Sequence, residues 1–306
     1  MRASLQRHGH ISALACAVWL GASAAIAQTP PAPSQPQKPP PSHQEIAPGV
    51  FVINFDNGNS LITVGDDGTV LVETQLPTRA KALGDYIKTI TPKPVRIAIG
   101  THWHNDHAGG NEYFRSLGAI TITDEISRKR LSERQVSKFT GRTQEALSPL
   151  GLPMVTFPTR MNVHFNGDDI EIVHHPEAHT DGDATVYFKK ANVIHMGDLF
   201  TATMYTNVRN VDAFVKALDN VLATINDDTK VIPWHGGVST KKDLQDWRET
   251  MFVVGSRVKK MMAEGKSDKE IVDSKPFADF NARWGGGARA DAVVPMIIAG
   301  ERGEPD

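Results

Sequence analysis

A mixed α/β architecture, with β-sheets covered by helices on their outer faces, is the fold class this sequence predicts. Three observations lead there. Beyond residue 42 the chain opens with short β-branched runs separated by turn signals, and it then alternates helical and extended patterns. Several of the extended runs also end in short segments rich in His, Asp and Gly. Hairpin strands followed by alternating helices and strands bury their apolar faces as sheets with helices packed outside.

Each element has its own signal. Residues 50–55, 60–64 and 69–74 are strand-like, separated by Asp-Asn-Gly and Gly-Asp-Asp-Gly turns. Residues 78–90 read as a helix stopped by Pro92 and Pro94. Residues 95–100 form a buried strand, and 112–117 and 125–139 read as helices. Strands are expected at 161–165, 169–174, 184–188 and 192–196. A helix at 211–225, a strand at 230–233 and a long helix at 240–264 complete the order. The basic stretch 128–134 reads as a solvated helix face. The segment 140–159, with its prolines and glycines, is a candidate cap over a site.

The N-terminus has a different character. Arg2 and Arg7 precede an apolar run from 11 to 25, and Ala25-Ile26-Ala27 follows. This is the layout of a secretory signal over residues 1–27, cleaved after Ala27. Residues 28–42, mostly Pro, Gln, Ser and Ala, read as a polyproline-type tether, and 43–306 as one domain. Cleavage would remove Cys16, the only cysteine, so a mature chain has no disulfide and no thiolate ligand. The expected location is the periplasm or the exterior, with no stable membrane association once the signal is gone. A net charge of −2 offers no field for gathering nucleic acid. A small-molecule substrate is the expected partner, and the pattern specifies no oligomeric state.

The decisive segment is Thr101-His102-Trp103-His104-Asn105-Asp106-His107-Ala108-Gly109-Gly110, at the end of the buried strand. In extended backbone, residues two apart point the same way, so His102 and His104 can reach one ion together. Asp106 and His107 come where the chain turns and can face a neighbouring ion. Imidazole and carboxylate are ligands that zinc accepts. Four such groups cannot complete two ions, so further ligands are expected downstream. His179 lies in His-Thr-Asp-Gly-Asp, Asp198 in Met-Gly-Asp and His235 in Trp-His-Gly-Gly, each at a strand end. Of the remaining histidines, His174, His175 and His195 read as sheet residues and His164 as solvated. Trp103 and Tyr205 read as pocket-lining or packing residues.

The order THWHNDHAGG, HTDGD, MGD and WHGG resembles the metallo-β-lactamase superfamily of hydrolases, over essentially everything after the tether. The resemblance implies a four-layer αββα sandwich with the metal site at one edge, between two mixed sheets. It implies that His102, His104 and His179 hold one ion, that Asp106, His107 and His235 hold a second, and that Asp198 bridges them. Two Zn2+ per chain are expected, with Fe or Mn as alternatives. Where the family usually has an aspartate supporting the first ligand loop, this chain has Glu73 in Leu-Val-Glu-Thr.

Two dications roughly 3.5–4 Å apart would share a bridging water, lower its pKa toward ~7 and supply a hydroxide nucleophile. Asp106 is expected both to ligate and to take up a proton, which makes it the candidate catalytic residue. True metallo-β-lactamases usually carry Cys or Ser near the Asp198 position. A bridging aspartate is more like the lactonase, thioesterase and phosphodiesterase branches. The expected activity is hydrolysis of an ester, lactone, thioester or β-lactam. The alternatives are a true antibiotic-cleaving metallo-β-lactamase, a mononuclear-iron persulfide dioxygenase using His102, His179 and Asp198, and a non-catalytic binding protein.

Overall fold

The computed structural model describes residues 40–55 and 58–304. The signal-like segment 1–27 and the tether before residue 40 lie outside these residues. Four antiparallel strands come first: β1 (Ser42–Ala47), β2 (Val50–Phe55), β3 (Gly58–Gly65) and β4 (Gly68–Val72). β1 had no sequence signal, and it begins one residue inside the stretch read as tether. Helix α1 (Ala80–Ile90) carries the chain back, so that β5 (Val95–Ile99) pairs parallel with β4. The short helices α2 (Asn105–Ala108) and α3 (Asn111–Ser116) lead to β6 (Ile120–Asp124), parallel to β5. Helix α4 (Glu125–Leu131) and a two-stranded ribbon, β7 (Gln135–Val136) with β8 (Thr143–Gln144), precede β9 (Val155–Phe157). β9 pairs with β6 and ends a sheet of order β1-β2-β3-β4-β5-β6-β9.

The second sheet runs β10 (Arg160–Phe165), β11 (Asp168–His175), β12 (Asp183–Phe188) and β13 (Val193–His195), all antiparallel. Helix α5 (Val211–Thr224) then crosses over to β14 (Lys230–Ile232), which joins β13 in parallel. Helices α6 (Lys241–Ala263), α7 (Asp268–Asp273), α8 (Asn281–Trp284) and α9 (Ala288–Glu301) finish the chain.

Period-two alternation sorts the side chains into layers. Leu61, Val70, Val72, Ile97 and Ile99 of the first sheet share one buried cluster with Ile172, Val186, Val193 and Ile232 of the second. Their immediate neighbours point the other way. Ile62, Leu71 and Ala98 pack under Leu83, Ile87 and Phe114 of α1 and α3. Ile194 and Val231 pack under Phe214, Trp247 and Ile297 of α5, α6 and α9. The result is helix, sheet, sheet, helix: the expected αββα sandwich.

Two helices depart from the sequence expectation. α4 ends at Leu131 rather than 139, because the Leu131 carbonyl accepts the Leu147 N–H at 2.8 Å and Val136 is exposed on the ribbon. Its arginines are not a free solvated face. Arg130 pairs with Asp181 and Arg128 donates to the Pro153 carbonyl. α9 was unread because Pro295 lies inside it. An internal proline costs about 3 kcal/mol, which burial of Val293, Val294, Ile297 and Ile298 offsets.

Candidate metal centre

The C-terminal ends of β4, β5, β13 and β14 and the β11–β12 turn meet at one edge of the sandwich. Cross-sheet hydrogen bonds fasten that edge. Ala184 N–H donates to the Thr101 carbonyl at 2.7 Å, and Asn59 N–H donates to the Trp234 carbonyl at 2.8 Å. The Asn59 side chain also donates to the Pro233 and Gly236 carbonyls, both at 2.8 Å. Strand ends leave backbone free for loops while the sheet behind them stays rigid.

The 101–108 segment is shaped by an abrupt turn. His104 is extended (φ −63°, ψ 145°), and its carbonyl then accepts the N–H groups of His107 and Ala108, both at 3.0 Å. His102 and His104 thus come from the extended part of the segment and Asp106 and His107 from the first turn of α2, with the His102 and His107 rings 4.0 Å apart. His179 sits in the β11–β12 turn. There the Asp183 carboxylate accepts the His179 and Thr180 N–H groups at 2.7 and 2.8 Å and the Thr180 hydroxyl at 2.7 Å. Asp198 follows β13 through Gly197, whose φ of +52° favours glycine. A Cβ at Gly197 would also stand 2.4 Å from Thr101 Oγ1.

The structure brings His102, His104, His179 and Asp198 together, with one donor atom of each within 4.8 Å of all the others. His102 Nε2 and His104 Nδ1 are 2.9 Å apart, and His179 Nε2 lies 3.2 Å from His104 Nδ1 and 3.3 Å from Asp198 Oδ2. A second constellation adjoins it: His107 Nε2 stands 3.8 Å from Asp198 Oδ2 and 3.9 Å from Asp106 Oδ2. His235, just past β14, is half-buried, and its ring feels the charges of Asp198, His107 and Asp106.

Electrostatics prepare these groups to ligate. Burial, with the charges of neighbouring histidines, holds His102 well below the usual imidazole range, and burial with His179 takes His104 down to about 3. Burial likewise lowers His235. These rings are neutral, with lone pairs available. Burial opposes charge on His107 too, but the Glu73, Asp106 and Asp198 carboxylates outweigh it and raise the ring to about 9. Asp106 is lowered despite burial by His107 and His104.

Glu73, fully buried after β4, orders this arrangement from behind. Its Oε1 accepts the Thr101 hydroxyl at 2.5 Å and lies 3.1 Å from His107 Nδ1, and its Oε2 accepts the Thr101 N–H at 3.3 Å. The His179 Nδ1 is held 2.9 Å from the Asn207 carbonyl and 3.0 Å from the Thr206 hydroxyl. With their far nitrogens engaged, both rings turn their Nε2 inward.

The donor set fits a metal ion. Two ligands ~2.1 Å from one tetrahedral ion stand about 3.4 Å apart, close to the separations observed. His107 Nε2 and Asp198 Oδ1 are buried without a hydrogen-bond partner, a costly state that an ion would relieve.

The other residues singled out in the sequence fall around the site or away from it. His195 is a buried β13 residue with Nε2 3.0 Å from the Asn59 carbonyl. His174 and His175 lie on β11, and exposed His164 meets Asp169. Tyr205 is core, stacked on Trp247. Trp103 packs against His104 and donates to Asp181 at 3.0 Å. Sequence reading missed Gln144, whose side chain accepts the Asn105 N–H at 3.0 Å and donates to the Trp103 carbonyl at 2.7 Å. It also missed Asn207, which acts through its backbone. Neither carries a motif, although the 140–159 segment that holds Gln144 stood out.

Comparison with known proteins bears on this geometry. Residues 53–232, more than half of the chain, match the family model of the metallo-beta-lactamase superfamily. The chain is 26% identical over 209 residues to metallo-beta-lactamase IND-1 of Chryseobacterium indologenes, covering 64% of this chain and 81% of that enzyme. In fold it resembles a metallo-beta-lactamase from Pontibacter korlensis, with a TM-score of 0.58 and 20% identity over 69% of this chain and 99% of that one. It also resembles the sec-alkylsulfatase Pisa1 from Pseudomonas sp., with a TM-score of 0.64 and 17% identity over 84% of this chain and 50% of that one. With its αββα layers and histidine–aspartate cluster at the sheet edge, the chain belongs to the metallo-beta-lactamase superfamily of metal-dependent hydrolases.

Proposed function

We propose that this protein is an exported hydrolase that holds two zinc ions and cleaves a small carbonyl substrate, namely an ester, lactone, thioester or β-lactam. The observation that carries the reading is the pair of adjoining constellations around Asp198. His102, His104 and His179 cluster with it, His107 approaches both it and Asp106, and His235 feels the charges of the same two carboxylates. Bound there, two dications would polarise a carbonyl oxygen and activate a water. The chain's own residues do the remaining work. Glu73 and Asn207 fix the rings of His107 and His179, so the donors need little reorganisation. Asp106, ionised and partly open to solvent, would take up a proton from the activated water. The signal-like N-terminus supports export.

Aspartate at position 198 favours ester, lactone or thioester substrates over a dedicated β-lactamase role. The test is metal analysis of the mature protein, followed by assay of the zinc form on a β-lactam, a homoserine lactone, a thioester and a phosphodiester. Two zinc ions with carbonyl turnover support the reading. One iron per chain with persulfide oxidation would replace it, and turnover of the phosphodiester alone would move the substrate class.

A further inference from the structure

Three rings of the centre are tethered at the nitrogen that points away from it. His102 Nδ1 lies 3.2 Å from the Thr101 hydroxyl, His107 Nδ1 3.1 Å from Glu73 Oε1 and His179 Nδ1 2.9 Å from the Asn207 carbonyl. His104 is different. Its Nδ1 is the atom that faces His102 and His179, and among the described residues no hydrogen bond holds its Nε2. Away from its fellow ligands, the ring rests on the Trp103 indole, with centroids 4.5 Å apart and planes at 70°. The orientation of His104 is therefore only as firm as that of Trp103.

Trp103 is fixed by Asp181, a buried residue two places beyond His179 in the β11–β12 turn. Asp181 Oδ1 accepts the indole N–H at 3.0 Å. Its Oδ2 accepts two donors of Arg130 on α4, Nε at 2.9 Å and Nη2 at 2.6 Å, and the same guanidinium lies 5.7 Å from the Trp103 ring. The Asp181 carbonyl lies 2.9 Å from His174 Nε2 on β11. The carboxylate cannot rotate away from Trp103 without breaking a charge-assisted pair. It gives the indole N–H a fixed acceptor, and packing carries that constraint on to His104. It also joins the two ligand-bearing segments, 102–107 and 179–183, which follow strands of different sheets.

We propose that Asp181 is a positioning residue of the metal centre: through the Trp103 indole it sets the His104 ring, although it is not itself a ligand. This deepens the metal-dependent reading above and rests on it for His104 as a ligand. Arg130 contributes by holding the carboxylate in place.

The test titrates metal-free protein with Co2+, whose visible absorption reports the geometry of the groups that bind it. Asp181→Ala and Trp103→Ala are each expected to weaken cobalt binding about 10- to 100-fold and to shift the visible bands. The double variant is expected to lose no more than the worse of the two, because both changes cut the same path. A purely structural clasp would lower the melting temperature of the metal-free variants and leave affinity and bands as in wild type, and that result overturns the proposal. So does a double variant whose losses simply add. If Asp181→Ala does not fold, Trp103→Phe keeps a ring against His104 but removes the N–H. It is expected to weaken cobalt binding about 2- to 10-fold and to shift the bands, and a wild-type titration there overturns the proposal equally. Wild type that takes up no cobalt would defeat the metal-centre reading and this proposal with it, whereas an unchanged Asp181→Ala defeats only the role of Asp181.

Discussion

At the residue scale, the centre depends on side chains whose outer atoms are tied down. Glu73 shows this most directly. It has no solvent exposure, a left-handed backbone (φ 70°) and contacts to Thr101 and His107. Non-glycine residues occupy that backbone region at a cost, and such outliers concentrate at functional sites. Glu73→Gln keeps the shape but removes the charge beside His107, and it is expected to weaken metal affinity 10- to 100-fold, measured by competition with a chromophoric chelator. His104→Ala and Asp106→Ala are expected to lose metal and activity together while far-UV circular dichroism remains that of wild type. Full metal content in both variants would remove these residues from the ligand set.

At the element scale, the ligand loop is clamped by pieces of chain far away in sequence. Ribbon β7–β8 holds it through Gln144, and α4 holds it through Arg130, whose guanidinium pairs with Asp181 and lies 5.7 Å from the Trp103 ring. Asp181 in turn accepts the Trp103 indole N–H. Gln144→Ala leaves the Asn105 N–H and the Trp103 carbonyl without these partners. It is expected to cost about 1–3 kcal/mol and to speed amide exchange at 103–105 while the β5 amides keep their protection. Protection at 103–105 equal to wild type would show that the ribbon does not hold the loop. Elements with strong local patterns, such as α1, α5, α6 and most strands of both sheets, were legible in the sequence. α6 even announces its start with a Thr240–Asp243 capping box. β1, the short strands β6 and β9 and helix α9 were not, because their stability comes from neighbours rather than from their own periodicity.

At the scale of the whole molecule, burial of neutral histidines ties stability to pH. His175 is buried on β11, 3.0 Å from the Thr185 hydroxyl, and burial, with His174, takes it down to about 4. The unfolded chain takes up a proton near 6.5, before the folded one does, so stability is full above 6.5 and is lost as pH falls toward 4. At about 1.4 kcal/mol per pKa unit, this ring alone withdraws about 3 kcal/mol over that window. Denaturant unfolding from pH 7.5 to 4.5 should show a shallower acid loss in His175→Gln than in wild type, and parallel curves would contradict the assignment. The sequence by itself determined the class of fold and the ligand-like residues, because strand periodicity and the density of histidine and aspartate in 102–107 are local properties. It also marked His179, Asp198 and His235 as strand-end residues. Only the tertiary structure decided that His179 and Asp198 meet the first loop, that Glu73 lies behind it and that Gln144 clasps it from the β7–β8 ribbon. Those placements depend on two sheets closing over one shared core, and no local stretch of chain encodes the distance between strand ends that the core brings together.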